Sequence, residues 1–257
     1  MTAMPLLRVE DVSVHFGGIV ALDGVSFDLE EGLIVGLIGP NGAGKTTLFN
    51  CLSRLYTPST GEIAFRGQSI LQSPPYGIAT MGIGRTFQNL ALFPTLSVLD
   101  NIMIGGHCRT RSDFLSNALR LPWVSREEEA LRARAMDLIA YLDLEDLAEV
   151  AVSELPFGTQ KRVEMGRALA AEPKLLLLDE PAGGLNHDEV DHLKSQIRAI
   201  RDDRDISVLL VEHHMNLVMD VSDKVVALDF GRKIGDGTPD EVRANPEVIR
   251  AYLGTDE

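Results

Sequence analysis

Eight residues constrain this fold more than any other stretch: Gly39-Pro40-Asn41-Gly42-Ala43-Gly44-Lys45-Thr46, set between an apolar run at 33–38 and a helical pattern from Lys45. A Gly-rich turn joining a buried strand to a helix lets successive backbone N–H groups point inward. The helix N-terminus adds partial positive charge to that concavity. A chain of phosphates fits it. Lys45 is placed to reach the β and γ phosphates, the Thr46 hydroxyl to ligate Mg²⁺, and Thr47 to continue the binding turn.

The rest of the chain supports an α/β reading. Strand-like 175–179, helical 189–200, strand-like 208–212 and helical 215–221 alternate, which predicts a parallel sheet. Residues 6–14, 25–29, 62–65 and 82–87 read as further strands, 45–55 and 163–171 as helices, and about 99–147 as largely helical. Ser125 and Glu128 form a capping-box pattern that predicts a helix start. Segments 225–229 and 232–236 flank Phe230-Gly231 as a hairpin, and Thr238-Pro239-Asp240-Glu241 caps a late helix. With no internal repeat or low-complexity linker, the 257 residues are expected to form one domain.

Charge narrows the partners. A net charge of -14 disfavours diffuse attraction to nucleic acid or anionic lipid, so a bound anion must be held by local geometry. Cys51 and Cys108 make no metal or disulfide pattern, which fits a reducing compartment. The N-terminus lacks the pattern of a secretory signal, and no apolar run approaches the roughly 18 residues of a membrane span. The expectation is a cytoplasmic protein, peripheral if it works at a membrane.

Leu175-Leu176-Leu177-Leu178-Asp179-Glu180 is a buried strand ending in two carboxylates. Beside a phosphate-binding loop, Asp179 is placed to hold Mg²⁺ through water and Glu180 to orient the attacking water. His213 ends the apolar stretch 208–212, which should neighbour the Asp179 strand and offer a contact to the γ-phosphate. Gln88, after the strand ending at Phe87, can reach the metal or the water through its amide.

These motifs, together with Leu155-Pro156-Phe157-Gly158-Thr159-Gln160-Lys161-Arg162 and Gly184-Leu185-Asn186, stand in the order and spacing of ABC-transporter ATPases, which the chain resembles over nearly its whole length. The resemblance implies a P-loop NTPase of the ABC nucleotide-binding type, with an N-terminal antiparallel β subdomain, a core over about 1–88 and 160–257, and a helical subdomain over about 89–159. It implies that Phe16 stacks on adenine and that Leu155 to Thr159 complete the ATP site of a second subunit. Gly84-Arg85-Thr86-Phe87-Gln88-Asn89, the insert at about 105–127, Val211-Glu212-His213-His214-Met215 and the tail from Gly237 to Gly254 are similar to the LivG-type group of branched-chain amino-acid importers. That likeness implies a membrane-spanning pair of permease subunits, a LivF-type second ATPase or a homodimer, an extracytoplasmic binding protein, and a place on the inner face of a bacterial plasma membrane. A soluble ABC ATPase, or an exporter ATPase of the lipopolysaccharide type, is the alternative.

The signature segment departs from the family's Leu-Ser-Gly-Gly-Gln, with Pro156 for serine, Phe157 for the first glycine and Thr159 for glutamine. Proline offers neither hydroxyl nor N–H to a γ-phosphate. An asymmetric pair of sites is the expectation, with the partner's site weakened. Asn89-Leu90-Ala91-Leu92-Phe93-Pro94 is apolar where a loop should be polar; it is either buried or a groove for a membrane subunit.

Overall fold

The computed structural model describes residues 4–87, 90–110 and 122–253, with the side chains of Pro122 and Leu253 left aside. Strands β1 (Leu7–Phe16), β2 (Ile19–Leu29), β4 (Thr60–Phe65) and β5 (Gln68–Ser69) form an antiparallel sheet in the order β2-β1-β4-β5. A second, six-stranded sheet has the order β10-β9-β3-β8-β7-β6. Its members are β3 (Ile34–Ile38), β6 (Ile83–Arg85), β7 (Leu175–Asp179), β8 (Ser207–Val211), β9 (Lys224–Asp229) and β10 (Arg232–Gly237). All neighbours in it are parallel except β9 and β10.

Burial explains why the second sheet is parallel. Every residue of β3, β7 and β8 is buried, so both faces are covered. The side chains alternate between two cores. Ile34, Leu176, Leu178, Val208 and Leu210 face one with helices α3 (Val98–Gly105), α4 (Pro122–Tyr141), α5 (Phe157–Leu169), α6 (His187–Arg204) and α7 (Met215–Val221). Val35, Leu37, Leu175, Leu177 and Leu209 face the other, shared with the antiparallel sheet, α1 (Lys45–Leu52) and α2 (Ile78–Met81). The central sheet is therefore the common wall of two cores. Its β10 edge carries Arg232, Lys233 and Asp236, charges that discourage edge-to-edge pairing.

Local chemistry sets most element ends. Thr238 with Glu241 forms a capping box on α8 (Pro239–Ala244), as the sequence predicts, and Asn186 with Glu189 forms one on α6, which starts at His187 ahead of the expected 189. α9 (Pro246–Leu253) follows. Phe230 and Gly231, at φ 40° and 79°, turn β9 into β10 with the double positive φ that suits hairpin twist. The Ser125 cap is not realised: α4 already includes Pro122, a residue suited to a helix's first turn, so Ser125 lies inside the helix. α5 starts at Phe157, six residues before the expected start at Val163, with Pro156 at its N-cap. α1 ends at Leu52, short of the predicted 55.

Candidate active site

The P-loop leaves β3 through Gly39, at φ 155°, where an added Cβ would lie 2.3 Å from the Leu228 carbonyl oxygen. Only glycine fits. Lys45 opens α1 and is 6 % exposed; its Nζ donates to the Gly39 carbonyl at 2.6 Å and the Pro40 carbonyl at 3.0 Å. Burial lowers its pKa, and the Glu180 charge opposes that shift. A cleft of about 300 Å³ is lined by Asn41 to Thr47, Glu180 and His213, with Ile19, Val20 and Ala21 on its apolar side. Thus the P-loop, two of the three hydrolysis candidates and an apolar wall share one cavity.

Asp179 and Glu180 diverge although adjacent. Asp179 ends β7 beside Val211 of β8 and accepts from Arg85 Nη2 at 2.8 Å, both side chains being under 10 % exposed. Its backbone N–H donates to Thr86 Oγ1 at 3.3 Å. Burial raises the Asp179 pKa, and the hydrogen bond and charge of Arg85 act against it. Glu180 is past the strand end at φ 49°, a left-handed conformation costing about 1–3 kcal/mol for a side-chain-bearing residue. Its N–H donates to the Val211 carbonyl at 2.9 Å, and its Oε1 lies 2.5 Å from His213 Nε2. Asp179 is thus buried against Arg85, and Glu180 lines the cleft.

Glu212 was not singled out in the sequence. It is 2 % exposed, and its carboxylate accepts from Ala182 N at 2.6 Å, His213 N at 3.0 Å and His214 N at 3.4 Å. An acid directly after the apolar run Val208 to Val211 and directly before His213 was the available signal. It ties the loop after Glu180 to the loop that bears His213.

Gln88 lies outside the described residues. Phe87 and Ala91 on either side of it are held by α5: Glu164 Oε1 accepts from Phe87 N at 3.1 Å and Ala91 N at 3.5 Å, and Arg167 Nη1 donates to the Ala91 carbonyl. Phe16, at the end of β1, is half exposed and meets Tyr56 edge-on at 5.2 Å; it is not among the residues lining the phosphate cleft. Leu155, Pro156, Phe157, Gly158 and Thr159 are likewise absent from that lining. Pro156 occupies the N-cap of α5 without a side-chain cap bond, and Phe157 packs on Gly184, where a Cβ would come within 2.9 Å of its ring.

The family model for ABC transporters matches residues 22–183, which span the P-loop, the signature segment and both carboxylates. The chain belongs to the ABC transporter family. A second model, for branched-chain amino acid ATP-binding cassette transporters, matches residues 232–257. The BraF branched-chain amino acid transport ATP-binding protein of Pseudomonas aeruginosa is 40% identical, over 97% of this chain and 98% of its own. LivG of Escherichia coli K12 is also 40% identical, over 98% and 99%. The solved ADP conformation of MJ1267, an ATP-binding cassette of an ABC transporter, is 31% identical with a TM-score of 0.84, covering 98% of this chain and all of that one. The LivG-type resemblance and the ABC fold expected from the sequence are borne out. This ABC subunit is a nucleotide-binding ATPase that works with transmembrane permease subunits, and among its described residues no helix is long and apolar enough to cross a membrane.

Proposed function

We propose that this ABC ATPase powers uptake of branched-chain amino acids, from the inner face of a bacterial plasma membrane, as half of a two-ATPase sandwich with a LivF-type subunit. An extracytoplasmic binding protein delivers the substrate. The observation that carries the catalytic part is the cleft in which Lys45, Glu180 and His213 meet behind the P-loop. The names of its relatives support the substrate class.

In this reading Gly39 to Thr47 cradle the phosphates, with backbone N–H groups and the Lys45 ammonium as donors. Phe16 stacks on the adenine, and Ile19 and Val20 extend the apolar wall beside the P-loop. Glu180 accepts a proton from the attacking water while His213 fixes the Glu180 carboxylate and contacts the γ-phosphate. Residues 89–159 act as the helical subdomain, and Leu155 to Thr159 meet the partner's ATP.

Among the described residues no cluster of three His, Cys, Asp or Glu side chains could hold a metal ion alone. A hydroxyl and a carboxylate, Thr46 and Asp179, are hard oxygen donors that suit Mg²⁺ shared with phosphates, and Gln88 would complete the set. Bound there, Mg²⁺ would neutralise charge on the phosphate oxygens.

A groove of about 630 Å³ between α3 and α4 is lined by Leu96, Met103, Ile104, Val124 and Leu131 and rimmed by Asp100, Glu127 and Glu128. Together with exposed Phe93 it receives a cytoplasmic helix of the permease, one with a basic rim. The test is ATP-driven uptake in proteoliposomes carrying the assembled transporter. Leucine, isoleucine or valine accumulation that stops with Glu180→Gln supports the reading; uptake of none of the three defeats it. Phe93→Asp should cut uptake at least about five-fold while basal hydrolysis persists.

A further inference from the structure

Thr46 and Asp179 belong to different elements, and one side chain ties those elements together. Arg85 ends β6, and its guanidinium Nη2 donates to Asp179 Oδ2 at 2.8 Å. Nη1 is turned the other way. It donates to Asn50 Oδ1 at 2.9 Å, to Ser53 Oγ at 2.8 Å and, at 3.4 Å, to the Phe49 carbonyl. These acceptors lie at the end of α1, the helix whose first turn carries Lys45 and Thr46. The Phe49 and Phe87 rings flank the guanidinium carbon at 5.7 Å and 5.1 Å, and Nε is buried without a partner.

A buried aspartate needs a countercharge, and charge balance alone would be served best by a bidentate pair. Arg85 does not make one. It meets Asp179 through a single nitrogen and spends the other on α1, leaving Nε unsatisfied, so the arrangement favours a fixed bridge over maximal charge pairing.

We propose that Arg85 is a positioning residue that locks the Asp179 carboxylate to the far end of the phosphate-binding helix, so that Asp179 and Thr46 face a shared Mg²⁺ in one rigid frame. This rests on the assignment of Thr46 and Asp179 to that metal. With Oδ2 held by Arg85, Oδ1 would be left to accept from water around the metal. Preorganising donors in this way lowers the ordering cost that metal binding would otherwise carry. Lysine keeps the charge but lacks the fork that reaches both partners.

The full chain, as wild type and as Arg85→Lys, is titrated with Mg²⁺ against a fixed amount of a fluorescent, non-hydrolysable ATP analogue, with parallel binding in EDTA and thermal melts. The expected result is analogue affinity in EDTA within about two-fold of wild type, and a Mg²⁺ half-saturation raised about ten-fold, the scale of a lost charge-assisted hydrogen bond. A purely structural Arg85 would lower the melting temperature and leave the Mg²⁺ midpoint in place, which overturns the proposal. If Arg85→Lys does not fold, the Asn50→Ala/Ser53→Ala variant frees only the α1 end of the bridge. It should raise the midpoint about three-fold, and an unmoved midpoint again overturns the proposal. A wild-type chain whose analogue affinity ignores Mg²⁺ overturns the metal assignment itself; a wild type that responds, with a variant that responds identically, overturns the role of Arg85 alone.

Discussion

The phosphate cleft and the signature segment both sit at a helix N-terminus, yet only the first shares a cavity with Glu180 and His213. At the P-loop, Gly39 and Pro40 carbonyls hold Lys45, Ala43 N–H closes onto the Pro40 carbonyl, and Glu180 and His213 line the same cleft. At the start of α5 there is no capping side chain, Phe157 is half exposed, and Lys161 reaches back to the Glu180 carbonyl at 3.0 Å. The signature segment is anchored to its own catalytic loop but lines none of its own cleft. The difference agrees with the proposed sandwich, in which the chain carries the chemistry of one site and offers its signature segment to the partner's.

The largest effect should come from removing the chemistry while keeping the binding. Glu180→Gln should lower Mg-ATP turnover of the assembled transporter by at least about 100-fold, the scale of a lost general base, with ATP affinity near wild type. Size analysis in Mg-ATP should then show a trapped pair of ATPase subunits. Persisting turnover would break the comparison, because the cleft would not own the chemistry.

Next in size is Glu212, which holds both loops that supply the catalytic wall. Glu212→Ala leaves three backbone N–H groups without their acceptor and should lower kcat about ten-fold with little change in KM, since His213 and the loop after Glu180 lose their register. Glu212→Gln should recover part of the loss, because the amide oxygen still accepts. Equal kcat in all three proteins would mean that Glu212 only supports the strand end.

Much of this site was legible in the sequence because it sits in regular elements. The strand Leu175–Asp179 and the helix Met215–Val221 have the predicted bounds, and the strand neighbours that place His213 against Glu180 follow from the alternation around them. What was missed depends on tertiary contacts between distant segments. Arg85 read as part of a family-like run, and its partners Asn50, Ser53 and Asp179 are up to 94 residues away. Ile19 and Val20 reached the cleft because β2 extends well before the predicted 25–29, carrying exposed apolar residues that no alternation marked. The apolar loop before Phe93 divides: Leu92 packs on the core, and Phe93 faces solvent.

A smaller effect tests the unfinished side of the comparison. At the N-cap of α5, Pro156→Ser supplies the missing side-chain acceptor, worth about 1 kcal/mol, and a hydroxyl for the partner's γ-phosphate. Melting should rise by about 2–4 °C in the isolated chain. Turnover of the assembled transporter should rise by about two- to five-fold, in line with one added hydrogen bond, if the partner's site is held back by proline. A rise in melting temperature alone would confine the change to helix capping.

The smallest effect concerns Glu164, which joins the signature helix to Phe87 and Ala91. Burial raises its pKa, against the opposing Phe87 and Ala91 N–H bonds and the charges of Arg167 and Lys161. A carboxyl whose native pKa lies above its unfolded value binds its proton more tightly when folded. Its stabilising contribution is complete below the ordinary glutamate range and is lost as pH rises through the raised native value. In Glu164→Gln the amide oxygen can still accept from Phe87 and Ala91, but nothing titrates. Melting temperature against pH should therefore fall less steeply across that window in the variant than in wild type. Asp179, also raised by burial, contributes equally to both curves, so the difference in slope belongs to Glu164. Parallel curves would mean that the loop bonds offset the cost of burial, leaving α5 joined to the loop by an ion that costs nothing to keep charged.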